Sequence, residues 1–247
     1  MKKILVCFLC SLTAVFSFAA SRKALVISNY DYYSCPVTTG EKDGNDVTAF
    51  LSSLDFSVVH EKNLNQRKMF STLRSFTTKK DANEKTDVLL FYYRGYAVQV
   101  EGKNYLLPSG TDILSEDDIL LFGLCLDDVI DRFMAYDAEK TLFFLDSCDE
   151  NPWQAFVADS KGGLAYTEIS PEKEMILMYS QALNRNTLSW RADNSLFTQH
   201  FLQEFGKPCT DVRLACSNIA ASVKKFSGAN QIPWINSTLV NELVLKD

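Results

Sequence analysis

Apolar residues recur along this chain in two patterns, short continuous runs and helical spacings, and the two patterns alternate. Runs rich in β-branched and aromatic residues predict strands, whereas apolar residues at i, i+3 and i+4 predict helices. The predicted strands are 23–29, 56–60, 86–93, 140–146 and 175–180, and a small hairpin joins 98–100 to 105–107 through Gly102. The predicted helices have their apolar stripes at 47–54, 69–76, 126–133 and 197–205.

The alternation of strands with helices determines the expected fold class. Helices of this length between strands predict right-handed crossovers and a mostly parallel sheet covered on both faces. Runs 86–93 and 140–146 are apolar on both faces, as the central strands of such a sheet are. We therefore expect an α/β fold, a three-layer αβα sandwich with a mostly parallel sheet of about six strands.

The chain has one long irregular connection, 149–173, which contains Gly162, Gly163 and Pro171. This connection divides a larger part, 21–160, from a smaller part, 161–247. We expect both parts to contribute strands to one sheet and to form a single domain.

The first residues have the order of a targeting segment. Lys2 and Lys3 precede an apolar run, 4–18, which ends in the small residues Ala19 and Ala20. A basic start, an apolar middle and a small-residue end are typical of a secretory signal. We expect residues 1–20 to be a signal peptide cleaved near Ala19, and the protein to be exported, either periplasmic or secreted. The alternative is an uncleaved anchor, because the apolar run is at the short edge of what spans a bilayer.

The composition narrows the classes of protein and partner. Hydrophobic residues make up 47% of the chain and charged residues 23%, which excludes disordered and fibrous classes. The net charge of -6 argues against nucleic acid as a partner, and a membrane is expected only if the signal stays uncleaved. Cys7 and Cys10 fall in the signal, and the remaining five of the seven cysteines cannot all pair within one monomer.

Reactive residues follow two of the predicted strands. In an open α/β sheet, ligands bind beyond the carboxyl ends of the strands. Strand 86–93 leads into Arg94-Gly95-Tyr96-Ala97, and strand 140–146 leads into Ser147-Cys148. If these two strands are neighbours, Tyr96 and Cys148 would face each other across one crevice.

The second of these segments continues to Asn151-Pro152-Trp153. With these motifs, the chain resembles the caspase-like cysteine peptidases, particularly bacterial relatives that lie between caspases and metacaspases. In that family a Ser-Gly-His-Gly segment supplies the catalytic His, and an Asp-x-Cys segment supplies the nucleophile. The resemblance covers about residues 22–240, and its further matching segments are 104–108, 126–129, 189–191, 194–197 and 231–234.

The resemblance implies a role for each matching residue. Cys148 takes the position of the nucleophile, and the backbone amides of Gly95 and Cys148 would form an oxyanion hole. Asp146 and Asp46 would form an acidic pocket for an Arg or Lys side chain of a substrate. The alternatives are a buried thiol for Cys148 and, for Asp146, a strand-end carboxylate that caps backbone amides. The segment that matches the substrate groove is Ser189-Trp190-Arg191.

The chain departs from the family at the decisive position, because Tyr96 stands where the family has its His. A phenol with a pKa near 10 is a poor base at neutral pH and cannot form an imidazolium. The only two histidines are His60, interpreted as an exposed loop residue, and His200, interpreted as solvated or packed in a helix away from the crevice. Arg94 could lower the pKa of the thiol, but it cannot protonate a leaving group.

The residues therefore favour an exported pseudoprotease that binds a peptide or protein, with a basic side chain of the ligand placed at Asp146. One alternative is an active cysteine endopeptidase that cleaves after basic residues with an unusual base. The other is a structural, envelope-associated domain. We expect no cofactor and no metal site. Metacaspases often need calcium, so the resemblance keeps calcium as an option. The acidic residues of this chain, however, form no spaced oxygen-ligand loop.

Overall fold

The computed structural model describes residues 21–33, 35–79, 81, 84–147, 153, 163–185 and 193–246. The strands in this part of the chain are β1 (Arg22–Ser28), β2 (Phe56–Lys62), β3 (Val88–Arg94), β4 (Ala97–Val100), β5 (Lys103–Leu106), β6 (Leu124–Cys125), β7 (Lys140–Asp146), β8 (Glu174–Tyr179) and β9 (Trp234–Ser237). The helices are α1 (Gly40–Ser53), α2 (Gln66–Phe76), α3 (Glu116–Phe122), α4 (Leu126–Tyr136), α5 (Leu196–Phe205) and α6 (Val212–Phe226).

The main sheet has six strands in the order β2-β1-β3-β7-β8-β9. Each neighbouring pair from β2 to β8 is parallel, and β9 pairs antiparallel with β8 at the edge. A smaller antiparallel sheet has the order β4-β5-β6 and contains the predicted hairpin. The predicted α/β fold with a mostly parallel sheet is confirmed. Both parts of the chain, before and after the long connection, contribute strands to the main sheet.

Two apolar layers cover the sheet, because successive side chains of a strand point to opposite faces. In β3, Leu90 and Tyr92 face one layer, which α1, α5 and α6 complete. Leu89, Phe91 and Tyr93 face the other layer, which α2 and α4 complete. The strand that reads as apolar on both sides is therefore buried between two helical layers.

Helices α3 and α6 were not predicted from the apolar pattern. Helix α3 has seven residues and fully buries only Ile119, so it lacks a repeating apolar stripe. Its sequence signal is the cap, since the Ser115 side chain accepts from the backbone N–H of Asp118. Helix α6 buries the small residues Ala215 and Cys216 among larger ones, which weakens the apolar contrast on which the pattern depends.

Residues 1–20, the predicted signal peptide, lie outside the described residues. Among the helices that are described, none has both the length and the apolar character needed to span a bilayer.

Candidate active site

The ends of β3 and β7 lie side by side. The two strands are parallel neighbours in the main sheet, and Arg94 of β3 is directly opposite Asp146 of β7. The two strands that we expected to line one crevice are therefore adjacent. Tyr96 lies two residues after Arg94, and Ser147 is buried after Asp146. The next residue, Cys148, lies outside the described residues, as do Ser189, Trp190 and Arg191.

The side chain of Tyr96 is buried in an aromatic cluster, with 5% of its surface exposed. Its ring centroid is 4.9 Å from that of Tyr32 and 5.0 Å from that of Trp153, and both pairs meet edge to face. Val98 and Leu107 belong to the same apolar cluster. The Tyr96 ring is therefore packed among other apolar groups.

Two buried phenols hold the segment that carries Tyr96. Tyr32 Oη accepts from the backbone N–H of Tyr96 at 3.2 Å and donates to the Leu107 carbonyl at 3.1 Å. Tyr93 Oη donates to the Tyr96 carbonyl at 2.8 Å. Burial raises the pKa of Tyr32 to about 12 and that of Tyr93 well above its ordinary value, so both phenols stay protonated and can donate.

Gly95 is required by this arrangement. A Cβ atom at this position would lie 2.7 Å from Tyr93 Oη and 2.8 Å from Tyr32 Oη, and the residue has a φ of +156°. A glycine is thus needed at position 95 because two phenols approach its backbone. The oxyanion role of the Gly95 amide stays a prediction, since its partner Cys148 is not described.

Arg94 forms a buried ion pair with a residue that sequence analysis did not single out. Its Nε donates to Asp43 Oδ2 at 2.9 Å, its Nη2 donates to Thr39 Oγ1 at 3.0 Å, and its Nη1 donates to the Asp146 carbonyl at 3.1 Å. Asp43 lies in the first turn of α1 and is completely buried. The only sequence signal for Asp43 was its place three residues before Asp46, which puts both carboxylates on one face of a helix.

Asp146 is also buried, and its carboxylate already has partners. It accepts from Thr198 Oγ1 at 2.7 Å and from Ser195 Oγ, and it lies 3.6 Å from Arg94 Nε. Ser195 is the N-cap of α5, so Asp146 links the end of β7 to the start of that helix. Of the two interpretations of Asp146, these contacts favour the structural one, although the bonded groups are side-chain hydroxyls rather than backbone amides.

Asp46 lies nearer the surface of the same region. Its carboxylate pairs with Lys42 at 2.5 Å and accepts from Asn194 Nδ2 at 2.9 Å. Partial burial acts to raise its pKa, but the hydrogen bonds from Lys42 and Asn194 outweigh burial and lower it. Asn194 Nδ2 also lies 3.1 Å from Asp43 Oδ1. The structure therefore brings Asp46 and Asp146 into one network, with Asp43 between them.

Of the two histidines, His60 lies in surroundings that differ from the expected ones, and His200 does not. The interpretation of His60 as an exposed loop residue was wrong, because it lies within β2, half-buried, with its Nε2 2.9 Å from Ser28 Oγ. His200 is packed in α5, as one of the expected alternatives had it, with its ring 5.0 Å from that of Phe226. Burial lowers the pKa of both imidazoles.

The described residues also include free thiols and side chains of the types that ligate metal ions. Those residues contain no group of three or more His, Cys, Asp or Glu side chains that could hold a metal ion. Among them, Cys35, Cys125, Cys209 and Cys216 carry free thiols, and burial raises the pKa of the Cys216 thiol.

Comparison with known proteins agrees with the motifs and with the sheet. The family model of the caspase domain matches residues 21–244. No curated protein matches the chain in a sequence search. The caspase-domain match extends over the main sheet, both helical layers and the ends of β3 and β7. The resemblance inferred from the motifs is thereby confirmed, and the chain belongs to the caspase-domain family.

Proposed function

We propose that this caspase-domain protein is an exported pseudoprotease, which binds a peptide or a protein in the crevice beyond β3 and β7 and does not cleave it. The observation that carries this proposal is the burial of Tyr96 between Tyr32 and Trp153. A general base has to reach the proton that it removes, and burial among apolar rings supports a packing role for Tyr96.

The chemistry of the side chain supports the same conclusion. A cysteine peptidase needs a group that first draws the proton from the thiol and then returns it to the leaving amine. A phenol has its ordinary pKa near 10, so it is protonated at neutral pH and accepts no second proton there. Tyr96 can therefore replace neither half of the imidazole's role.

Activation of the Cys148 thiol by Arg94 has little support. Arg94 is the positive charge nearest in sequence to Tyr96, but it lies 2.9 Å from Asp43 and 3.6 Å from Asp146. These two carboxylates offset the positive charge of the guanidinium. The offset weakens the effect that Arg94 could have on the pKa of a thiol.

The ligand is proposed from the family, whose crevice receives an extended peptide. The motif led us to expect a basic ligand side chain at Asp146, but the hydrogen bonds that this carboxylate already accepts weigh against it. The proposal of export rests on the sequence pattern of residues 1–20 alone. N-terminal sequencing of the protein recovered from the periplasm and the medium tests it.

Turnover of fluorogenic peptides tests the loss of activity. The purified protein is assayed with substrates that end in Arg, in Lys or in an uncharged residue, in the presence of calcium and a reductant, beside Cys148→Ala as the control. We expect equal, background rates from both proteins. Turnover that disappears in Cys148→Ala would contradict the proposal and would require an unrecognised base. Activity that arises in Tyr96→His would show that the groove is intact and disabled at one residue.

Alkylation of thiols tests peptide binding without any need for turnover. Iodoacetamide labelling of Cys148 is followed by mass spectrometry with and without candidate peptides, and exposed Cys209 serves as the internal control. A peptide bound in the crevice slows the labelling of Cys148 and leaves that of Cys209 unchanged. Equal labelling of both thiols with every peptide of a diverse set would contradict binding at this position.

A further inference from the structure

The carboxylates of Asp43 and Asp146 form a buried site for one cation, and the chain fills this site itself. We propose that Arg94 is an internal occupant of this site and that its guanidinium keeps basic ligand side chains out. The proposal depends on the proposed function only in placing the site at the crevice. Arg94 is then a specificity determinant. It excludes the basic ligands that Asp43 and Asp146 alone would favour.

The geometry of the site suits a guanidinium. Arg94 Nε lies 2.9 Å from Asp43 Oδ2 and 3.6 Å from Asp146 Oδ2, while Nη1 and Nη2 donate to the Asp146 carbonyl and to Thr39 Oγ1. The planar group thus uses all three of its nitrogens against fixed acceptors. A guanidinium has this fork of donors, whereas an ammonium presents a single charged point.

The walls of the site are held by groups other than Arg94. Asp43 accepts from Thr39 Oγ1 at 2.6 Å and from the backbone N–H of Ser195 at 2.9 Å. Asp146 accepts from Thr198 Oγ1 at 2.7 Å and from Ser195 Oγ. The two carboxylates are therefore positioned from α1 and from the start of α5. Removal of the guanidinium leaves them preorganised for another cation.

The charge balance makes such a cation necessary. Asp43 and Asp146 are both buried, and buried carboxylates need a compensating positive charge. The guanidinium of Arg94 lies within hydrogen-bond distance of Asp43 and 3.6 Å from Asp146, so its removal takes a positive charge away from both carboxylates. Because Arg94 is itself buried, an external basic side chain cannot reach the carboxylates while the guanidinium is in place.

Chemical rescue of an Arg94→Ser variant tests the proposal, with methylguanidinium as the probe. Loss of a buried ion-pair partner should lower the melting temperature by roughly 6–20 °C. Methylguanidinium at about ten times its Kd should then restore about 3–6 °C. The wild type and the double variant Arg94→Ser/Asp43→Asn should show no such rise. Equal responses in all three proteins would overturn the proposal.

A ligand pair tests the same site in the wild type, in case Arg94→Ser does not fold. Acetyl-argininamide and its neutral counterpart acetyl-citrullinamide are compared at about 10 mM, where a filled site should leave the melting temperature unchanged with both. A rise with acetyl-argininamide alone would show an open cation site and overturn the proposal. Neither measurement depends on peptidase activity or on the labelling of Cys148, so the failure of this proposal is distinguishable from failure of the proposed function.

Discussion

The rings of Tyr96 and Trp153 meet edge to face, with their centroids 5.0 Å apart and their planes inclined at 77°. Tyr96 follows β3 and Trp153 comes after β7 in the chain, so this contact joins the segments that follow two neighbouring strands. Both rings are buried, which identifies Trp153 as a packed anchor. Tyr96 thus contributes to the apolar core of this region.

Truncation of the Tyr96 ring should therefore destabilise the fold. We expect Tyr96→Ala to lower the free energy of unfolding by about 3–5 kcal/mol, as for other buried aromatic residues. Tyr33→Ala is the matched control, because the Tyr33 ring is 98% exposed and its loss should cost less than about 0.5 kcal/mol. Urea denaturation measures both, and equal costs would show that Tyr96 is not packed as described.

A methyl group at Gly95 should be much less tolerated than one at Gly102. Both glycines have positive φ, +156° and +77°, so both substitutions strain the backbone. Only the Cβ at Gly95 meets atoms, Tyr93 Oη and Tyr32 Oη, whereas that at Gly102 meets nothing within 4 Å. We expect Gly95→Ala to cost about 1–3 kcal/mol more than Gly102→Ala in urea denaturation. A smaller cost at Gly95 would contradict the close approach of the phenols.

Neutralising Asp43 should cost far more than neutralising an acid at the surface. Asp43→Asn leaves the buried Arg94 without its nearest carboxylate, which should destabilise the protein by about 3–5 kcal/mol. Asp137 pairs with Lys173, but its side chain is 70% exposed, so Asp137→Asn should change stability by less than about 1 kcal/mol. Thermal and urea unfolding compare the two variants. A minor effect at Asp43 would contradict a buried ion pair.

Acidification should destabilise the protein through its two histidines. Burial holds the pKa of His60 and of His200 below the ordinary 6.5, so the unfolded chain binds more protons than the folded one in the window between the folded pKa values and 6.5. Their contribution is fully present above pH 6.5 and is lost as pH falls through that window. Urea denaturation from about pH 7.5 to about pH 5 measures how the free energy of unfolding changes with pH. This pH interval lies above the range in which ordinary carboxyl groups titrate.

The double variant His60→Gln/His200→Phe is the control for this slope, because the chain has only these two histidines. We expect the stability of the double variant to change less with pH over the same interval. An unchanged slope would assign the pH dependence to other groups.

The order of residues along the chain determined the framework of this protein. Strands such as 86–93 and 140–146 could be recognised because burial on both faces demands continuous apolar runs, and this demand acts on each segment locally. The family could be recognised for a similar reason, since its motifs are short and lie at the strand ends. The prediction that Tyr96 takes the place of the family's His rests on the same short motifs.

Only the tertiary structure decided what these residues do to one another. Arg94 meets Asp43 across 51 positions of sequence, and Asp146 meets Thr198 across 52. The burial of Tyr96 and the placing of His60 beside Ser28 likewise depend on segments brought together by the sheet. No local pattern encodes such partners, because packing between distant elements determines which charges are buried together and which rings are covered.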